Sequence, residues 1–280
     1  MKTTISISAL PLGGIAGSVT IFPDVLQVAA QRLREAEGSL LTDSLVTHVS
    51  DWLVLIMVHR EGGESPKISA LKDMVVLSAA EIAKKRRLFT RNEKAVTCGL
   101  TITERNSESF LLFLAGTNAP KFWNPILLSQ FANPFATPSL ANGNGFIFCT
   151  EDSKMFQTPV DLYPLLLTAK YSRIVGVATV DSSPVASAGS GVVMISRSEF
   201  PYPTTTELCN VFTIPQSSKE GGVLFPVSLC DGKTVAREII PIVALGFSVT
   251  DGKLSGPLDL FDNPAFDAVR TVAGRLSEYI

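Results

Sequence analysis

A chain of 280 residues, 46% hydrophobic and 18% charged, can fill a large core, and no linker divides it, so residues 1–280 are expected to form a single α+β domain. A net charge of −2 supplies no basic field for nucleic acid or for an anionic membrane surface. The longest apolar runs, residues 53–58 and 110–115, are too short to span a bilayer, and MKTTISIS lacks the apolar block of a signal peptide, which implies a cytoplasmic location.

In chain order, residues 2–9 alternate polar and apolar side chains and read as a strand. The Gly-rich turn at residues 10–17 has neither the G-x-G-x-x-G spacing nor the lysine of a phosphate-binding loop. Pro23 and Asp24 start a helix that Gly38 ends, with Leu26, Ala29, Ala30 and Leu33 on one face. Residues 45–59 open with Thr47 and His48, pass Asp51 and run uncharged from Leu53 to Val58, the pattern of a strand buried on both faces. A carboxylate where such a strand begins is a place to look for chemistry.

Ser65 and Pro66 open a second helix that buries Ile68, Leu71, Val75 and Ile82, and its basic last turn complements the helix dipole. Residues 95–104 and 109–115 read as a strand pair around Asn106 and Ser107. Residues 116–145 read as a long irregular loop, which in a compact domain is usually functional. Residues 145–149, 173–180, 192–196, 208–214, 223–230 and 239–249 read as strands. A short helix spans 158–168 with Pro164 bending it, and a last helix spans 264–279. The four cysteines, Cys98, Cys149, Cys209 and Cys230, lie in or beside strand-like runs without a C-x-x-C pair and read as reduced, part-buried thiols, a nucleophile being the alternative.

Several blocks, in order, resemble the fructose-1,6-bisphosphate aldolase/phosphatase family of archaea and thermophilic bacteria. They are THVSDWLVLIMVH at 47–59, FANPFATP at 131–138, PVSLCDGK at 226–233 and LGFSVTDGKLSGPLDLFDNPAFD at 245–267. The resemblance implies a layered α-β-β-α sandwich and a symmetric homo-oligomer. Because the sequence stops at Ile280, the family's long C-terminal extension is expected to be missing. The family binds several Mg²⁺ ions through carboxylates and a histidine and forms a Schiff base on a lysine.

Carried over position by position, the family's charged residues fall on Pro11, Ser18, Asp51, Trp52, Gly116 and Thr117. Its Y-V-G-K-D-D-P-V block falls on residues 186–193, with Ala186 for the tyrosine, Gly189 for the lysine, and Ser190 and Gly191 for the acids. Only Asp51 keeps its carboxylate, and one carboxylate cannot hold a multi-metal cluster. The sequence therefore leads to the expectation of no metal or other cofactor and no useful hydrolysis of fructose 1,6-bisphosphate. It points instead to a repurposed, metal-independent acid/base enzyme (isomerase, cyclase or lyase) acting on an apolar small molecule in a dry pocket. A catalytically inactive binding subunit is the alternative, and residual fructose-1,6-bisphosphate phosphatase/aldolase activity the second.

In that expectation Asp51 and His48 move protons and Lys233 assists, while Ser18, Trp52, Thr117, Trp123, Asp231 and Glu238 bind substrate. Each also has a bland reading. Asp51 would be a strand-end acid bonded to backbone, His48 a structural histidine, and Asp231 and Lys233 an ordinary turn with a solvated lysine.

Overall fold

The computed structural model describes residues 2–15, 19–105, 108–118, 121–132, 145–198, 217–218, 222–231 and 239–277. Two sheets face each other. The first has the strand order β4 (Asp43–Val49), β5 (Trp52–His59), β1 (Lys2–Pro11), β6 (Val96–Thr103). The second runs β13 (Ser217–Ser218), β14 (Gly222–Pro226), β15 (Ile239–Thr250), β7 (Glu108–Ala115), β12 (Val193–Ser198), β11 (Pro184–Gly189), β10 (Ile174–Thr179), β8 (Phe146–Thr150), β9 (Met155–Gln157). A further strand, β16 (Lys253–Asp259), pairs with β15, and a short pair joins β2 (Gly14–Ile15) to β3 (Thr20–Ile21).

Helices α1 (Pro23–Arg34) and α2 (Pro66–Lys85) pack on the first sheet, and α3 (Asn124–Phe131), α4 (Leu162–Thr168) and α5 (Asp267–Ser277) on the second. The result is the expected α-β-β-α sandwich with three apolar layers. Val25, Leu33, Leu53, Leu55, Met57 and Val75 fill the layer under α1 and α2. Ile5, Ile7, Val54, Ile56, Leu112 and Val243 fill the space between the sheets. Phe113, Trp123, Leu127, Met194 and Phe266 fill the layer beyond the second sheet. Strand β5 explains its own sequence: alternate residues serve two different cores, so every position is buried and an unbroken apolar run is required.

The stretch 45–59 is a hairpin rather than one strand. β4 and β5 pair antiparallel through a two-residue turn at Ser50 and Asp51, with Ser50 at φ 52°, a left-handed value that such tight turns use. The expected pairing of 95–104 with 109–115 does not occur. β6 pairs with β1 in the first sheet, whereas β7 lies between β15 and β12 in the second, so the chain crosses from one sheet to the other. Two consecutive apolar strands read the same in sequence whether they pair or part. The expected loop at 116–145 contains α3, and residues 133–144 lie outside the described residues. Pro164 sits in the first turn of α4, where its missing N–H has no intrahelical partner to lose, so it need not bend the helix.

At the end of β7 away from its C-terminus, the carboxylate of Glu108 is fully buried between two guanidiniums. Arg197 Nε donates at 2.6 Å and Arg105 Nη2 at 2.8 Å. Burial pushes the Glu108 carboxyl up, and the two arginines more than offset it.

His59 is buried at the end of β5, its Nε2 2.8 Å from Ser6 Oγ and its Nδ1 without a partner among the described residues. Burial lowers its pKa, with the nearby Glu61 opposing. A folded-state pKa below the unfolded value near 6.5 means that the unfolded chain takes up the proton first. The stability from the neutral ring is thus present above about pH 6.5 and is lost as pH falls through that value toward the folded pKa. Urea midpoints at pH 7.5 and 5.5 should fall for the native chain and fall less for His59→Gln.

Candidate functional site

At one end of the sandwich the C-terminal ends of β1 and β7 meet the β4–β5 and β11–β12 turns. Pro11 is in register with Trp52, and Leu12 N donates to Asp51 O at 3.1 Å. Gly116 packs so closely on Pro241 and Ser50 that a Cβ there would come within 2.9 Å of Pro241 Cγ and 3.5 Å of Ser50 Cβ. Asn118 Oδ1 accepts from Ser190 Oγ and, at 3.3 Å, from Gly191 N. The positions matched from sequence at 11, 51, 52, 116 and 189–191 therefore gather at one end of the fold, though far apart in the chain.

Asp51 is 1% exposed. Arg91 holds both its oxygens, Nη2 to Oδ1 at 2.6 Å and Nε to Oδ2 at 3.0 Å, a two-pronged ion pair. The guanidinium also lies over the Trp52 ring, 5.2 Å from its centre, and its Nη1 is 3.1 Å from Glu93 Oε1. Burial raises the Asp51 pKa, and Arg91 works against that rise. Sequence reading missed Arg91 because it comes from the irregular segment between α2 and β6, with no motif around it.

Beside this network opens a cleft of about 520 Å³. One wall is the segment Glu93 to Thr97 that leads into β6. The other is Ser187 to Ser190 at the β11–β12 turn, with Asn118 and Arg173 between. Gly189 forms its floor against β6: a Cβ at 189 would lie 2.6 Å from Thr97 O and 3.0 Å from Cys98 Cβ. No side chain fits there, a lysine included, unless two strands move apart. The Cys98 thiol beneath is pushed up to about 12 by burial, so it is no nucleophile at neutral pH.

The expected substrate-binding and catalytic residues are placed as follows. Trp52, expected as a pocket wall, is wholly buried between the sheets, and Trp123 is 1% exposed in the outer core against Phe113 and Phe122. Both large rings serve packing: Trp52 sits on β5, which is covered on both faces, and Trp123 is buried in the outer core at the start of α3. His48 lies on β4 opposite Leu53, half-buried, and does not line the cleft. Thr117 adjoins Asn118 without lining it. Asp231 is exposed in a short 3₁₀ turn, accepting from Ser228 Oγ at 3.1 Å, which is the plain-turn reading. Ser18, Lys233 and Glu238 lie outside the described residues, as does Cys209.

The profile of the family described as fructose-1,6-bisphosphatase matches residues 2–190 and 189–280. The chain belongs to that family. The fructose-1,6-bisphosphate aldolase/phosphatase of Ignicoccus hospitalis is 32% identical over 328 residues, covering all of this chain and 84% of the relative. Those of Sulfurisphaera tokodaii and Moorella thermoacetica are 31% and 30% identical, each aligned over all of this chain and 86% of its own length.

These findings overturn the expectation of a repurposed acid/base enzyme for an apolar ligand. Relatives aligned over the whole chain carry a sugar-bisphosphate name, and the cleft is lined by Glu93, Lys94, Arg173, Asn118 and two serines as well as by Ala95, Val96, Val175 and Ala188, not by a wholly apolar wall. The chain is a member of a fructose-1,6-bisphosphatase family whose relatives are named as enzymes. Among the described residues the donor set does not fit a magnesium cluster. Both Asp51 oxygens are occupied by Arg91, and no three acidic, histidine or cysteine side chains converge. Among the described residues no helix is long and apolar enough to cross a membrane.

Two outcomes follow. Arg91→Met strands a buried carboxylate and should cost roughly 3 kcal/mol in urea unfolding at pH 7, with Asp51→Asn in the same background restoring part of it. An unchanged midpoint would show that the pair does not hold the turn. Gly189→Ala should lower stability by about 1–3 kcal/mol, read as a drop in melting temperature, because its Cβ meets backbone that cannot rotate away.

Proposed function

We propose that this chain handles a phosphorylated sugar of the fructose 1,6-bisphosphate kind in the cleft between β6 and the β11–β12 turn, with the aldolase/phosphatase turnover for which its relatives are named. The observation that carries this reading is the polar, cation-bearing cleft at Gly189 and Ser190, which belong to one block matched to the family and lie at the same end of the fold as the others. Lys94 and Arg173 supply positive charge for a phosphoryl group, and Asn118, Ser187 and Ser190 supply groups that match sugar hydroxyls. The volume of about 520 Å³ lies in the range of small-molecule sites.

A second reading, recognition of the sugar bisphosphate without turnover, is favoured by one observation: the sole acid retained from the matched set has both oxygens held by Arg91. Calorimetric titration with fructose 1,6-bisphosphate, run beside assays for phosphate release and for triose-phosphate condensation with and without Mg²⁺, separates the two. Saturable binding with product formation supports the first reading, and binding without product supports the second. Absence of binding overturns both.

A further inference from the structure

Counted formally, Arg91, Lys94 and Arg173 balance Asp51, Glu93 and Glu151, but the acids are each paired and, among the described residues, Lys94 is not. Glu93, on its wall, is held by Arg91 at 3.1 Å. Glu151, behind it, accepts from the Arg173 main-chain N at 2.9 Å and from Arg173 Nε at 3.4 Å. Both acids are thus occupied. Lys94, between Glu93 and the start of β6, makes no hydrogen bond or ion pair among the described residues, and it faces the same cleft as Arg173. Arg173 places Nη1 3.4 Å from Ala188 O, which fixes the guanidinium beside the β11–β12 turn while Nη2 keeps no partner among the described residues. Asn118 uses its carbonyl oxygen on Ser190 and Gly191, which leaves its amide NH₂ as a donor.

Resting on the sugar-phosphate reading above, we propose that Lys94 and Arg173 form the grip for one phosphoryl group of the ligand, and that Arg91 is the positioning residue that keeps Lys94 available. The chemistry is that of a dianionic phosphate monoester. Such a group presents three oxygens, and the cleft offers an ammonium, one arm of a guanidinium and an amide donor. Arg91 acts at one remove. Anchored by Asp51 at 2.6 Å, it takes the Glu93 carboxylate, which would otherwise sit one residue from Lys94 with no cation of its own. Asp51, the carboxylate that drew attention in the sequence, acts in this arrangement as the base of a strut, Asp51 to Arg91 to Glu93.

The test uses the full chain, with inorganic phosphate and fructose 1,6-bisphosphate as separate probes in calorimetry. Both should bind, and affinity should fall as salt rises. Lys94→Ala should weaken each by roughly tenfold or more, Lys94→Arg should restore most of the loss, and Lys94→Glu should abolish binding. Lys94 is exposed, so these variants keep the fold. Arg91→Lys should weaken binding of both probes less than Lys94→Ala does, and Glu93→Gln in that background should recover it, which a purely structural defect would not show. If phosphate binds with this dependence and the sugar bisphosphate does not, the grip stands and the assigned sugar falls. If the sugar bisphosphate binds with equal affinity to the native chain and to Lys94→Ala, the grip is wrong while the functional reading survives. Failure of both probes to bind the native chain overturns the grip.

Discussion

A carboxylate at the end of a strand buried on both faces has to be answered by a cation, and the Asp51–Arg91 ion pair is that answer. β5 must be apolar because its two faces belong to two cores, so the turn that starts it is drawn out of water with Asp51 on it. Arg91 reaches back from the segment after α2, closes both oxygens and lies over Trp52. Removing either partner leaves a buried charge or a stranded guanidinium, and the segment leading into β6 loses its anchor. Because that segment also forms one wall of the cleft, a constraint of folding fixes the shape of the cleft.

The cleft lies where glycine lets two sheets approach. Gly189 of the second sheet meets the Thr97 backbone of the first more closely than any side chain would allow, and Gly116 packs on Pro241 within the second sheet. The resemblance puts charged residues at these positions; here they are small, and the charge lining the cleft comes from Glu93, Lys94 and Arg173, with Arg91 holding Glu93. The family match runs across the whole length of the chain.

Much of the architecture was legible in sequence, for reasons that can be named. The apolar run of β5, the Pro-initiated starts of α1 and α2, and the ordered family blocks each follow from local rules. What was not legible depends on partners distant in sequence. Nothing near Arg91 announces that it pairs with an acid 40 residues earlier. Periodicity cannot tell that β6 and β7 part rather than pair. The apolar replacements suggested a dry hollow, yet Trp52 and Trp123 are spent on packing, and polar residues outside any motif line the opening. Gly189 looked like a lost lysine, whereas its backbone contact with Thr97 shows a position with no room for one.

The most direct measurement is a crystal structure of the native chain grown with fructose 1,6-bisphosphate. The account predicts density for the sugar in the cleft at Ser190, with one phosphoryl group between Lys94 and Arg173 and the Asp51–Arg91 pair intact. A ligand bound elsewhere, or an Asp51 carboxylate released from Arg91 to contact the ligand, would contradict it.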